Sequence, residues 1–243
     1  LQLAVCKLKA SSFCPLPTAH CQLLDMYKLL KRFTDILIAT IALILLSPIL
    51  IPSIIILLFT GEHEVFYFQK RIGYKNRVFN ICKFATMLKN SPNIGTGEIT
   101  LRNDPRVTVF GKMLRKTKVN ELPQIFNVFM GDMSIVGPRP LMEVSFKQYP
   151  DEVQQKIYNA RPGMTGIGSL IFRDEEKLVS DAPDPRVMYK NIYIYKGKLE
   201  LWYQQKASMY TDFMIIGLTA WSILFPENKL AGKIFKDLPK RGF

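Results

Sequence analysis

Histidine is nearly absent: His20 and His63 are the only two in 243 residues. That argues against a histidine-built metal centre and against a Ser-His-Asp triad, whose general base is an imidazole. Cysteine is scarce and badly placed for a framework. Cys6, Cys14 and Cys21 crowd the start, Cys82 stands alone, and no pair has CxxC spacing. Neither a disulfide scaffold nor a zinc site is written here. Any metal would have to be hard and oxygen-ligated, which points to Mg²⁺. Acidic residues are also few: 20 Asp and Glu against 33 Lys and Arg leave a net charge of +13. Such a surplus suits nucleic acid, anionic lipid headgroups or phosphate-rich substrates. No RNA-reading signature, aromatic–basic repeat or internal repeat accompanies it, so nucleic acid is not expected as a partner.

What the chain does have is one long uncharged run, Ile36 to Phe59. As an unbroken helix it would reach about 36 Å, against about 30 Å for a hydrocarbon core. Pro48 removes a backbone donor and clashes with the preceding turn, and Pro52 does the same one turn later. Each half is then only about 18 Å long, too short to span alone. Lys28, Lys31 and Arg32 precede the run; Lys70, Arg71, Lys75 and Arg77 follow it. A plain span carries its basic excess on one side. The pattern predicts a re-entrant helix, broken at Ser47-Pro48, with both ends cytoplasmic. A single Pro-kinked span is the alternative; a buried core helix fits so long an uncharged stretch poorly. Tyr27 to Thr34 is basic and amphipathic, suited to the headgroup level. Asp35 reads either as an ion pair with Arg32 or as a solvated interfacial carboxylate. Residues 1–25 lack clean periodicity, and Met26 reads as a natural start, so 1–25 is expected to be an extension without function.

Further along, Val65 to Phe68 and Val78 to Phe84 predict a hairpin across Gly73 to Asn76. Leu88 to Asn103 reads as a loop, with Gly95-Thr96-Gly97 a flexible piece of it. Asp104-Pro105 predicts a helix start with a capping carboxylate. Asn120 to Met130 predicts a second helix, with Pro123 in its first turn and Gly131 at its end. Ile135 to Pro140 is expected to be extended, Leu141 to Tyr158 a single helix, and Arg161-Pro162-Gly163 a turn, with Gly163 and Gly166 serving as turn glycines. Pro185 to Lys196 and Glu200 to Leu224 predict two more helices, the last with aromatics suited to a membrane interface. The expected fold is α+β and mostly helical: a re-entrant N-terminal helix, a small β-hairpin and interfacial amphipathic helices.

Between Lys83 and Arg173 several cations converge on few carboxylates. Lys83 follows an apolar strand, Arg115 precedes Glu121, Arg139 is framed by Pro138 and Pro140, and Arg173 follows an apolar segment. Arginine forks grip phosphate bidentately, and Mg²⁺ bridges phosphate and carboxylate oxygens, so this composition suits a diphosphate site. Solvated helix faces are the competing explanation for each charge singly. Arg139 is harder to dismiss, because a Pro-Arg-Pro frame fixes the backbone and aims the side chain.

The strings QKRIGYKNRVFNICKFATM, RVTVFGKMLRKTKVNELPQIFNVFMGDMSIVGPRP and ARPGMTG resemble the bacterial sugar transferase family. Within it, the length and single hydrophobic element are similar to the small monotopic phosphoglycosyl transferases. The resemblance implies a membrane helix at 26–60, a catalytic domain at 61–225 and a basic tail at 226–243. It implies transfer of a sugar phosphate from a UDP-sugar, bound with Mg²⁺, to a polyprenol phosphate, at the cytoplasmic face of a bacterial inner membrane. An enzyme carboxylate would attack the sugar-bearing phosphorus and expel UMP. An anionic bilayer is the implied setting, with downstream glycosyltransferases or a second copy as further candidate partners. Arg115 and Arg173 match phosphate-contacting arginines, Lys83 the KFxTM lysine, and Pro138, Arg139 and Pro140 a nucleotide segment. Gln124 and Asp132 are expected to orient the helix pair, and Asn127 to do that or to contact ligand. The family's acidic pair is usually Asp-Glu; here it is Asn120-Glu121. Asn cannot be a carboxylate nucleophile, though its oxygen can ligate metal. Three readings follow: Glu121 as nucleophile with Asn120 helping to hold Mg²⁺, direct transfer without a covalent intermediate, or a catalytically inactive nucleotide-sugar-binding or scaffold protein.

Overall fold

The computed structural model describes residues 19–91, 104–225 and 230–242. The expectations for residues 1–18, for Gly95-Thr96-Gly97 and the rest of 92–103, and for 226–229 lie outside them.

Helix α1 spans Ala19–Phe59 and runs without interruption through Pro48 and Pro52. The expected break at Ser47-Pro48 is therefore not a gap in the helix. The reason is local. Proline leaves the carbonyl four residues earlier without its donor, and here the Ser47 hydroxyl donates to the Ile44 oxygen at 2.7 Å. Among the described residues α1 is the one helix long and apolar enough to cross a membrane.

The start of α1 is tied to the rest of the chain by polar contacts. Asp35 is buried and its Oδ1 accepts from the Ile135 amide at 3.0 Å. Neither sequence reading of Asp35 holds: it is not solvated, and Arg32 points elsewhere, donating to the Val128 and Phe129 carbonyls at 2.6 and 2.8 Å. Tyr27 and Lys31 both donate to Asp212 Oδ2, at 3.0 and 2.7 Å. Further along, Ala39, Leu43 and Leu46 pack with Ile81, Ile125 and Val128, and Leu50 and Leu57 with Phe84 and Leu114.

The hairpin forms as predicted but longer. Strands β1 (Phe66–Ile72) and β2 (Val78–Phe84) are antiparallel, with Phe66 opposite Phe84 and Ile72 opposite Val78. The added residues of β1 include Gln69 and Arg71. Helix α2 (Val109–Lys116) begins later than predicted, because Thr108 rather than Asp104 caps it, accepting from the Gly111 amide at 3.0 Å. Asp104 instead makes a buried two-point ion pair with Arg106, at 2.9 and 2.6 Å. A 3₁₀ turn, Val119–Glu121, leads to α3 (Gln124–Met130), which ends at Gly131 with φ 99°. That left-handed backbone is what a glycine after a helix supplies.

Strand β3 (Ser134–Val136) pairs in parallel with β4 (Gly163–Thr165). Gly163 is not a turn glycine: it lies in β4, where a Cβ would sit 2.1 Å from the Gly137 nitrogen, so only glycine permits the approach. Gly166 likewise has extended backbone and precedes α6. The single helix expected over 141–158 is two, α4 (Glu143–Phe146) and α5 (Asp151–Lys156), since Pro150 disfavours helix in the residue before it. Helices α6 (Ile167–Ile171), α7 (Glu175–Ser180), α8 (Pro185–Lys206), α9 (Met209–Leu224) and α10 (Leu230–Ile234) complete the chain. The predicted boundary near Lys196 falls instead at Ala207-Ser208, where the Ser208 side chain caps α9. Val136, Ile167, Ile192, Leu199, Tyr203 and Ile215 form the largest core, joining β3, α6, α8 and α9.

Candidate active site

A cleft of about 580 Å³ opens beside the hairpin; Gln69, Arg71, Lys83, Arg115, Asn120 and Glu121 are among its lining residues. Each wall is set by a local device. Lys83 lies near the end of β2, opposite Tyr67. Lys118 takes φ 60°, turning the chain out of α2 and into the short 3₁₀ turn that presents Asn120 and Glu121. Asn127 fastens α3 to β2, accepting from the Cys82 amide and donating to the Asn80 carbonyl, both at 2.8 Å. That is the orienting role, made with backbone.

Glu121 is the centre of the charge pattern. Its Oε1 meets Lys83 Nζ at 3.2 Å and the Arg139 guanidinium at 3.7 Å. Burial pushes the Glu121 carboxyl up, but Arg139, Lys83 and Lys118 together outweigh it and hold it below the usual carboxylate range. Burial lowers Lys83, with Glu121 opposing. Burial also lowers Arg115, against Asp104 and Glu121. The carboxylate is thus ionised at neutral pH and sits among cations that a phosphate could recruit.

Arg139 is brought in by a clamped segment. The buried Tyr158 hydroxyl donates to the Arg139 carbonyl at 2.8 Å and accepts from the Leu141 amide at 3.0 Å. The Gly163 amide donates to the Pro138 carbonyl at 2.9 Å. Arg139 also lines a small recess beside the cleft with Arg71, Lys83, Gln124 and Pro140. The structure therefore brings together Lys83, Arg115, Asn120 and Glu121 in the cleft, with Arg139 and Pro140 adjoining. Arg173 is not brought in: it is exposed and lines neither cavity. Asp132 lies within reach of Asn127, at 3.5 Å. Gln69, Arg71 and Tyr158 were missed by the sequence reading. For the first two the signal was present, as alternate residues on a strand with Lys70 between them.

Asn120 is buried, and its Oδ1 has no hydrogen-bond partner among the described residues. A buried carbonyl oxygen without a donor is costly unless a ligand or water satisfies it. With the adjacent Glu121 carboxylate it offers two hard oxygens, the donor type Mg²⁺ takes. Among the described residues no three His, Cys, Asp or Glu side chains group as a metal site. The two oxygens fit a magnesium ion that would take its remaining ligands from water and a phosphate, the usual arrangement for Mg²⁺.

A family model described as bacterial sugar transferase matches residues 26–226. The chain is 35% identical over 179 residues to the UDP-N-acetylgalactosamine-undecaprenyl-phosphate N-acetylgalactosaminephosphotransferase of Aeromonas hydrophila, covering 73% of this chain and 41% of that protein. It is 36% identical over 183 residues to the exopolysaccharide production protein ExoY of Sinorhizobium fredii, covering 70% and 78%. With the undecaprenyl-phosphate galactose phosphotransferase of Salmonella typhimurium it shares 31% over 211 residues, covering 81% and 41%. The chain thus spans less than half the length of two of these three curated relatives.

Proposed function

The chain belongs to the bacterial sugar transferase family, and from that premise we propose that it transfers a sugar phosphate from a UDP-sugar to a polyprenol phosphate, releasing UMP. The observation that carries this reading is Glu121: an ionised carboxylate between Lys83 and Arg139, beside the unpartnered Asn120 oxygen, on one cleft wall. A diphosphate entering the cleft would draw Lys83 and Arg139 away from Glu121 and onto its own oxygens. The freed carboxylate oxygen would attack the phosphorus bearing the sugar, and UMP would leave with the electrons of the broken P–O bond. A phosphate oxygen of the polyprenol phosphate would then attack that phosphorus and return Glu121 to its carboxylate. Splitting one displacement into two by a covalent carboxylate is established chemistry, and cations around the transferring group stabilise its spreading charge. Asn120 and Glu121 would hold Mg²⁺, whose contribution when bound is to neutralise the diphosphate.

The setting we propose is the cytoplasmic face of a bacterial inner membrane, with α1 entering and leaving on that face. Basic residues at both ends of the apolar run and packing of α1 against the domain along its length support this. An inactive scaffold is the weaker reading, because Lys83, Glu121 and Arg139 remain assembled.

The test is UMP release by the solubilised protein given a panel of UDP-sugars, Mg²⁺ and polyprenol phosphate. Release with a particular sugar, abolished by EDTA and reduced about 10³-fold or more by Glu121→Gln, is the expected outcome. Full turnover in Glu121→Gln would remove Glu121 from the reaction. No release with any sugar, restored by Asn120→Asp, would favour the inactive reading.

A further inference from the structure

Among the described residues the Arg71 guanidinium bonds only neutral acceptors. Its Nε and Nη2 donate to Gln69 Oε1 at 3.2 and 2.6 Å, and Nη1 reaches the Pro140 carbonyl at 3.3 Å. It is half-buried on the wall shared by the cleft and the recess, beside Lys83 and Arg139. An arginine withdrawn from water beside two other cations ordinarily ends on a carboxylate. Arg71 ends on an amide, which fixes the fork and leaves it with no directly bonded counter-ion; Glu121 opposes its charge only from a distance. A guanidinium has only donors, so the Gln69 amide must present its oxygen; its Nε2 then lies 3.3 Å from Met142 Sδ. Only that weak donation to sulfur distinguishes Gln69 from Glu, the residue of nearly the same size that would neutralise Arg71.

We propose that Gln69 and Arg71 form a prearranged phosphate-binding arm, separate from the Lys83–Glu121 pair, in which Gln69 orients the guanidinium without quenching its charge. The ligand is a phosphate oxyanion, carried either by the nucleotide sugar or by the polyprenol phosphate. The inference rests on the function proposed above.

Gln69→Glu gives the sharpest test. It preserves side-chain length and both bonds to Arg71, giving up only the weak Nε2 donation to Met142 Sδ, and a carboxylate holds Arg71 more strongly than an amide does. Were Arg71 only a strut between hairpin and Pro140, this variant would keep wild-type ligand affinity with an unchanged or raised thermal midpoint. A phosphate arm requires the opposite: the midpoint holds while phosphate affinity falls about tenfold or more, the scale of one lost charged hydrogen bond. Arg71→Lys, which keeps the charge but loses the fork, should also weaken binding.

The full-length solubilised protein would be titrated calorimetrically with UMP and with a short-chain prenyl phosphate, and KM measured for both substrates. Weakened UMP binding with a raised KM for UDP-sugar would assign the arm to the nucleotide. Weakened prenyl phosphate binding with a raised KM for that substrate would assign it to the lipid. Unchanged affinity for both ligands in both variants would overturn the arm while leaving the reaction standing. A wild-type protein that releases no UMP would sink the reaction, and the two titrations would still decide the arm.

Discussion

At Glu121 a single carboxylate oxygen answers to two cations, and that fixes its titration. Its pKa is depressed in the folded chain below an ordinary 4.5. The folded state therefore releases this proton more readily than the unfolded one. The stabilisation is in place above the unfolded value and is lost as pH falls through the folded value. If ionised Glu121 is the nucleophile, the acid limb of kcat/KM should lie below 4.5, not above it. A pH profile in nanodiscs over folded conditions reads this directly. A limb centred above that value, and abolished by no change at any other carboxyl, would mean that Lys83 and Arg139 do not hold Glu121 below the ordinary range in the working enzyme. Activity falling as pH rises through it would mean that Glu121 is used in its protonated form. The residue scale is also where sequence reading was most uneven. Lys83, Glu121 and Arg139 could be picked out, because cations concentrated around few carboxylates are visible in one dimension. Arg173 has the same composition cue but lies exposed and away from the cleft. Asp35 could not be read correctly, because its partner is the amide of Ile135, a hundred positions away.

At the scale of elements, Asp212 on α9 joins three parts of the chain. It accepts from Tyr27 and Lys31 of α1 through Oδ2, and from Tyr203 of α8 through Oδ1 at 2.6 Å. Asp212 and Lys31 are both withdrawn from water, so removing the acid leaves a cation stranded. Asp212→Ala should cost about 3 kcal/mol, the scale of a broken buried pair, while Asp212→Asn, whose one oxygen can still accept from one of the two tyrosines, should cost less. Chemical unfolding in micelles measures both. A loss under about 0.5 kcal/mol for Asp212→Ala would place the pair with solvent-exposed bridges and show that the start of α1 is not held there. Elements whose signals are local were predicted well: the β1–β2 hairpin, the end of α3 at Gly131, and the extended stretch at β3. Boundaries set by tertiary contact were not. Asp104 resembles a cap in sequence, yet the neighbouring Arg106 takes its oxygens and leaves the capping to Thr108.

For the molecule as a whole, the decisive question is how α1 meets the bilayer. Asp35, just before the apolar run of α1, bonds the Ile135 amide, and Leu57 near the helix's end packs with Phe84 and Leu114. Between these positions a helix advances about 33 Å, slightly more than a hydrocarbon core. If α1 crossed the membrane straight, these two attachments would lie at opposite faces. The domain that makes both would then have to follow the helix through the bilayer, carrying Lys83, Arg115, Glu121 and Arg139 with it. Burying those charges in hydrocarbon is prohibitive next to bending one apolar helix at its prolines. The exposed apolar side chains of α1, among them Ile41, Ile44, Leu45 and Ile51, can still enter lipid from one side. Single cysteines placed at Lys28 and at Thr60, with the native cysteines replaced, should therefore react with an impermeant thiol reagent in inverted membrane vesicles and stay protected in intact cells. Labelling of one position from each side would establish a span and require the contacts of either Asp35 or Leu57 to be abandoned in the membrane. Labelling of both from the cytoplasmic side would put both ends of the apolar run on the face from which the proposed nucleotide sugar arrives.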